Sequence, residues 1–426
     1  MRIWIFAILF AANFIYSQNP ITKPGSYFAD PEAKVWDNGR LYLYGSVDES
    51  EEYWCSHSYD IYSTTNMVDW NVDRQIFSSV GESDNVPGSN KLLWAPDCIK
   101  IGGQYLLYFC SPGKIFGEST VMEEGVAFAN SPIGPFSKTE QIFGAHGIDP
   151  ALYVDNDGQG YYFWGQGHPR MAKLNDSFSK IDSTNIVFPL EKKSWEIFHE
   201  GTSIRKINDT YYMVFADESR RDRPTCLGYA TSDKIGGPYQ YKGIIIDNYG
   251  SDPQVWNNHG SIQKFNGKWY VFYHRSTNGS RKFRKVCIEP IEINSDGTID
   301  EVSMTSNGAA PPFIGGQRIE AEQACGLNGN VRIEEEKIDN AWIGKLSNIR
   351  DGDYAIYRYV DFDKTAIEKM TIKTLGNSHG GQIKVTLDSP EGDLIAKFNI
   401  MESDKEDSFN VISSTIPEID GTRAIY

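Results

Sequence analysis

Five segments of this chain repeat one pattern, and that repetition constrains the fold more than any other feature. Each has a polar or acidic start, a short strand, a Gly/Asn/Asp turn and an aromatic strand. They are ADPEAKVWDNGRLYLYG from Ala29, APDCIKIGGQYLLYFC from Ala95, IDPALYVDNDGQGYYFWG from Ile148, EGTSIRKINDTYYMVFAD from Glu200 and HGSIQKFNGKWYVFYHR from His259. The tips, such as Asn38-Gly39, Gly102-Gly103 and Asn266-Gly267, suit turns with positive φ and match strand twist. The second strands begin near Leu41, Tyr105, Tyr161, Tyr211 and Trp269, intervals long enough for a four-stranded sheet each. No long segment carries a 3.6-residue apolar period. The predicted fold class is all-β, with a five-bladed β-propeller over residues 19–302. A β-sandwich or a pair of barrels is the rival architecture, and the regular repeat disfavours both.

The rest of the chain differs in character. Residues 303–316 (SMTSNGAAPPFIGG) are rich in small residues, Pro and Gly and read as a linker. Residues 317–426 carry alternating segments such as YAIYRYVDF and GQIKVTLDS, the pattern of a small antiparallel β-sandwich. The sequence stops at Ile425-Tyr426 in what reads as the opening of a strand, so this sandwich is expected to be truncated at its C-terminus. At the other end, Arg2 precedes an apolar run from Ile3 to Tyr16 and a polar turn. Residues 1–17 therefore read as a signal peptide, which implies a secreted or periplasmic protein. No later run is apolar and long enough to span a bilayer. The formal net charge of −16 excludes nucleic acid and anionic membrane as natural partners. The six cysteines, Cys55, Cys98, Cys110, Cys226, Cys287 and Cys325, show no CxxC spacing. That argues against zinc, and the disulfide pattern is left open.

In a propeller the innermost strand of each blade lines a central channel, so matching residues of successive repeats converge on one axis. Reading the first position of each repeat gives Asp30, Asp97, Asp149, Glu200 and His259. Gathering like charges is costly unless some are protonated or paired. Paired carboxylates suit glycoside hydrolysis, in which one protonates the leaving oxygen and the other activates water on the opposite sugar face. Turn-capping acids are the structural alternative, most of all for Asp97. A non-catalytic sugar-binding propeller is the rival of another functional class, although a binder has no need for both an acid and a base.

With these residues in place, the propeller region resembles glycoside hydrolase family 43. The matching motifs are ADP at Ala29–Pro31, WAPD at Trp94–Asp97, IDPAL at Ile148–Leu152, HEGTSI at His199–Ile204, NHGSI with GKWYVFYHR at Asn258–Arg275, and RKVCIEPIEIN from Arg284. The resemblance implies an inverting hydrolase acting on plant cell-wall oligo- or polysaccharide, with Asp30 as general base, Glu200 as general acid and Asp149 tuning and orienting the acid. It implies that His259 holds a channel water or calcium ion. Trp94 and Phe198, with Asp97, are expected to shape the sugar subsite. Arg284 lies near the family's substrate-contacting arginine, with Lys285 directly after it. No cofactor is required for the chemistry. The expected activity is that of an exo-acting α-L-arabinofuranosidase, with β-D-xylosidase or endo-xylanase as alternatives. Insertions at 48–63 and 216–226 are expected to wall the cleft. Residues 317–426 resemble a family 6 carbohydrate-binding module through RIEAEQA, RDGDYAIYRYVDF and GQIKVTLDSPEGDLIA. There Glu320 and Glu322 match structural calcium ligands, while Phe409 is the only aromatic residue in the late stretch SDKEDSFNVISSTI.

Overall fold

The structure, a computed structural model, describes residues 18–86, 91–111, 124–338, 340–363, 367–374, 380–402 and 409–426. The proposed signal peptide lies outside them. The five repeats form five antiparallel sheets. Blade 1 is β1 (Phe28–Val35), β2 (Leu41–Val47), β3 (Ser58–Thr64) and β4 (Asn71–Ser78). Blade 2 is β5 (Trp94–Ile101), β6 (Gln104–Cys110), β7 (Glu124–Ala129) and β8 (Ser137–Gln141). Blade 3 is β9 (Ala151–Val154), β10 (Gly160–Trp164) and β11 (Arg170–Lys173). Blade 4 is β12 (Phe198–Ile207), β13 (Thr210–Asp217), β14 (Cys226–Ser232) and β15 (Gln240–Asp247). Blade 5 is β16 (Ser261–Phe265), β17 (Lys268–Thr277) and β18 (Ser280–Ile291). The five innermost strands touch in a closed ring, β1–β5–β9–β12–β16 and back to β1, which is the radial convergence the repeats predict.

The expectation of four strands per blade is corrected for blades 3 and 5, which have three among the described residues. Both outer edges are nevertheless paired, because an open edge leaves backbone groups unbonded. In blade 3, Val187 exchanges both backbone hydrogen bonds with Met171 of β11, each 2.9 Å. In blade 5, the segment before blade 1 lies against β18. Ile21 N–H bonds Val286 O at 3.0 Å. The Asn19 side chain imitates a strand residue, accepting from Ile288 N at 2.9 Å and donating to Ile288 O at 3.0 Å. The N-terminal segment thus closes the ring. Between blades the core is aromatic and aliphatic, for example Tyr44, Tyr59, Phe77, Leu107 and Phe109 between blades 1 and 2.

The remaining strands are β19 (Phe313–Ile314), β20 (Gly326–Asn328), β21 (Arg332–Ile338), β22 (Ala341–Ser347), β23 (Tyr354–Asp361), β24 (Lys369–Thr374), β25 (Gly381–Thr386), β26 (Leu394–Ile400), β27 (Asn410–Thr415) and β28 (Thr422–Ile425). Their core includes Phe313, Val360, Phe362, Leu387, Ile395 and Phe398. The 303–316 segment is not a free spacer. Thr305 donates through N and Oγ1 to the buried Glu289, each at 2.7 Å, and Ser306 N–H bonds Arg358 O at 2.7 Å. Cys325 joins the apolar cluster of blades 4 and 5. Across the same boundary the buried Lys285 of β18 pairs with Glu335 of β21 at 2.7 Å. All six cysteines are free and buried. No helix among the described residues is long and apolar enough to cross a membrane.

Candidate active site

The site is built at the N-terminal ends of the inner strands, and three of the five sheets break their register there. β1 shifts between Ala29 and Glu32, β5 between Trp94 and Asp97, and β12 between Glu200 and Ser203. Such bulges re-aim a side chain. Asp30, at its bulge, and Asp149, just before β9, both take left-handed backbone angles, φ 54° and 58°, each followed by a proline, and Gly201 follows Glu200 at φ 72°. For an aspartate such a conformation costs on the order of 1–3 kcal/mol, and strain of this kind collects at functional sites. Gly201 is also sterically required. A Cβ there would lie 2.9 Å from Cδ2 of His259, so only glycine lets Glu200's strand pass beneath that ring.

Asp30, Asp149 and Glu200 are all buried, at 4%, 5% and 9% exposure, which makes their charges strongly interacting. Asp30 is surrounded by donors. Arg284 Nη1 lies 2.8 Å from Oδ1, and Ser46 Oγ–H donates to Oδ2 at 2.6 Å. Burial pushes the Asp30 carboxyl up, but the Arg284 guanidinium together with His274 and His259 outweighs it and holds the group well below the usual carboxylate range. Arg284 is itself gripped by Asp48, through Nη2 at 2.7 Å and Nε at 2.9 Å, and its guanidinium lies over Trp54 at 5.0 Å. The 48–63 insertion therefore packs against this site.

Asp149 is treated in the opposite way. Burial pushes its carboxyl well above the usual range, and the charges of Glu200 and Asp30 push it further. Its Oδ2 has no protein hydrogen-bond partner. Glu200 takes Gln166 Nε2–H on Oε2 at 2.8 Å and Asn257 Nδ2–H on Oε1 at 3.4 Å. His199 Nε2 stands 3.6 Å from Oε2, while Nδ1 of the same ring bonds Glu218 in the 216–226 insertion. A buried chain links the two ends of the site. His274 is held neutral by burial. Its Nε2 faces two acceptors on Asn257, each at 3.1 Å, so the proton sits there. Its Nδ1 then accepts the backbone N–H of Asp30 at 3.3 Å. Asn257 in turn reaches Glu200.

Other expectations change. Asp97 lies beyond its bulge, facing Tyr108 as Glu32 faces Tyr44, so it matches Glu32 rather than Asp30. It pairs with Lys34 at 2.8 Å and accepts Leu152 N–H at 2.7 Å. Burial raises its pKa to about 6. Lys34 also holds Glu32, at 3.0 Å, and Glu32 holds Arg205, at 2.7 Å. These charges belong to the channel wall beyond the site, beside a cavity of about 240 Å³ lined by Lys34, Trp36, Lys100 and Arg205. Phe198 is not a surface of the cleft: it is 2% exposed and packs on Phe215, with ring centroids 5.3 Å apart. Trp94 does stand at the site's level. It pairs with Cys110, whose Sγ accepts Asp149 N–H at 3.3 Å, and its indole N–H has no protein partner. Nδ1 of His259 lies 3.6 Å from Asp30 Oδ1.

Glu320 pairs with Arg318 at 2.6 Å and caps a short 3-10 turn. Glu322 is pushed up by burial and by Glu320 and Glu335, and its Oε2 has no protein partner. Among the described residues no group of three or more His, Cys, Asp or Glu is arranged to hold a metal ion. Sequence reasoning missed Ser46, Asp48, Trp54, Gln166, His199, Asn257 and His274. His199, Asn257 and His274 lie in or beside the quoted motifs, so proximity to the motif was the available signal.

Comparison with known proteins gives the chain's relatives. The family model described as Glycosyl hydrolases family 43 matches residues 17–299. The model for Carbohydrate binding module (family 6) matches residues 320–426. A xylosidase/arabinosidase of Thermoclostridium stercorarium is 29% identical over 96% of this chain and 95% of its own length. An arabinoxylan arabinofuranohydrolase of Bacillus subtilis is 26% identical over 97% of this chain and 90% of its own length. The crystal structure of a β-xylosidase/α-arabinofuranosidase from a compost microbial metagenome superposes with a TM-score of 0.56 at 26% identity, covering 67% of this chain and 97% of that one. With three carboxylates from three blades joined in one buried cluster and a family model spanning the whole propeller, the chain belongs to the family 43 glycosyl hydrolases, enzymes that hydrolyse O-glycosyl bonds.

Proposed function

We propose that this chain is an exported, inverting, exo-acting α-L-arabinofuranosidase that trims xylan-type plant cell-wall polysaccharide. The observation that carries the reading is the unequal treatment of carboxylates from three blades: Asp30 is held ionised by Arg284, whereas Asp149 is pushed toward its protonated form beside Glu200. That division sets an ionised base apart from a neighbouring carboxyl pair, Asp149 and Glu200, that resists carrying two charges.

In this reading Glu200 gives its proton to the leaving oxygen as the C–O bond breaks. Asp30 takes a proton from a water that attacks the anomeric carbon from the opposite face. The sugar leaves with inverted configuration, and solvent returns both carboxyls to their starting states. Asp149 stands beside Glu200, and two such buried carboxyls resist carrying two negative charges at once. Gln166 and Asn257 hold the Glu200 carboxyl in place. The chemistry needs no cofactor.

β-D-Xylosidase activity is the second reading, favoured because relatives are named for both activities. The discriminating experiment is a chromatographic product screen on arabinan, arabinoxylan, xylo-oligosaccharides and arabinogalactan, with Asp30→Ala as the control. Free arabinose from arabinoxylan, absent with the variant, is the expected result. Xylose from xylo-oligosaccharides alone selects the second reading. Binding of oligosaccharide without any product overturns the catalytic assignment of these residues. Export is checked by whether the mature protein starts near residue 18 when recovered outside the cytoplasm.

A further inference from the structure

Beside the acid lies an aromatic surface that the mechanism leaves unused. His168 and Trp195 stand with ring centroids 4.8 Å apart, and Trp195 and Phe188 5.3 Å apart. Phe188 is 45% exposed and His168 is exposed. Trp195 is partly buried, with its indole N–H donating to Leu190 O at 2.9 Å. Single exposed rings are ordinary on protein surfaces, but three in contact form a patch that calls for an occupant. Trp195 is fixed by its hydrogen bond and gives the other two rings a rigid base.

The position of the patch identifies the occupant. Residues 165–168 are fastened to the strand of the acid, since Gly167 N–H bonds His199 O at 2.6 Å. Within that segment Gln166 bonds Glu200 and His168 begins the aromatic surface. The patch is thus continuous with Glu200 through Gln166 and Gly167. The acid donates to the leaving oxygen, so whatever lies beyond that oxygen extends on Glu200's side. The C–H faces of neutral sugar rings pack on aromatic rings, and concave sites for such ligands are lined with them.

We propose that His168, Phe188 and Trp195 form a leaving-group subsite that stacks the polysaccharide chain carrying the scissile sugar. The inference rests on the glycosidase reading and deepens it. The subsite gives affinity for polymer and has no part in bond cleavage.

The test compares wild type, Phe188→Ala, His168→Ala and Phe188→Trp on arabinoxylan and on the glycosyl fluoride of the released sugar. Fluoride is too small a leaving group to reach the patch. Loss of one stacked ring should raise KM for the polymer about tenfold, with kcat and fluoride hydrolysis within about twofold of wild type. Phe188→Trp should restore the polymer KM, and its recovery excludes a folding defect. Unchanged polymer KM in both alanine variants, or equal losses on polymer and fluoride, overturns the proposal. If wild type cleaves neither substrate, the glycosidase reading fails separately. Calorimetry with uncleaved xylo-oligosaccharide then decides the subsite: weaker binding by Phe188→Ala supports it, and equal binding sinks it.

Discussion

The Arg284 guanidinium of the last blade lies 2.8 Å from Oδ1 of Asp30 in the first, across the closure of the ring. The arginine thus sets the charge state of the proposed base. Asp30's folded pKa is depressed below the ordinary aspartate value of 3.8. Its ionised contacts therefore contribute stability above that pH, and the contribution is lost as pH falls below it. For activity, the acidic limb of kcat/KM should not be set by an ordinary aspartate. Arg284→Met should move that limb toward neutral pH by about one unit or more. The pH profile of wild type and variant on a soluble glycoside checks this, and an unmoved limb would refute it.

Replacing the acid should separate substrates by leaving group. Glu200→Ala is expected to lower kcat on natural glycosides by about 10²- to 10⁴-fold, the usual range for general acid catalysis, and by less where the leaving oxygen is already stable. Equal losses on arabinoxylan and a nitrophenyl glycoside contradict the assignment.

Gln166 is exposed and touches Glu200 through one hydrogen bond of 2.8 Å. Gln166→Ala should reduce kcat about tenfold while leaving the melting temperature in place, because a positioning contact of about 1–2 kcal/mol is lost without disturbing the core. Steady-state kinetics beside a thermal melt tests both halves of the statement.

Asp149 stands next to Glu200 with its own carboxyl pushed up by burial and by that neighbour. Asp149→Asn leaves one titratable carboxyl where two shared the site, so the basic limb of kcat/KM, which the pair sets jointly, should shift to lower pH by about one unit. A basic limb that stays where it is, with only the rate reduced, would leave Asp149 a purely geometric role.

Lys285 is buried, and burial lowers its pKa although Glu335 pulls the other way. Glu335→Ala strands that charge between the propeller and the following domain and should cost about 3–5 kcal/mol. The Lys285→Met/Glu335→Leu pair should cost much less. Urea unfolding of the three variants gives the comparison.

The difference between Arg284 and Lys285 also shows where sequence reading runs out. Side chains of a strand alternate between faces. In β18 that alternation sends Arg284 to Asp30 and its neighbour Lys285 to Glu335 of the next domain. The motif alone leaves open which of the two faces the site. Asp97 illustrates the same limit. Repeat position groups it with Asp30, but a bulge carries it past the site to Lys34.

By itself the sequence determined the repeat, the hairpin turns, and the acids that open blades 1, 3 and 4, because these depend on local spacing and on the symmetry of a ring. Only the tertiary structure decided the partners. Ser46, Asp48, Gln166, Asn257 and His274 reach the site from second strands and loops whose spacing follows no repeat. The environment that divides Asp30 from Asp149 is likewise tertiary, since burial and an arginine more than 250 positions away along the chain set charge states that no local pattern records.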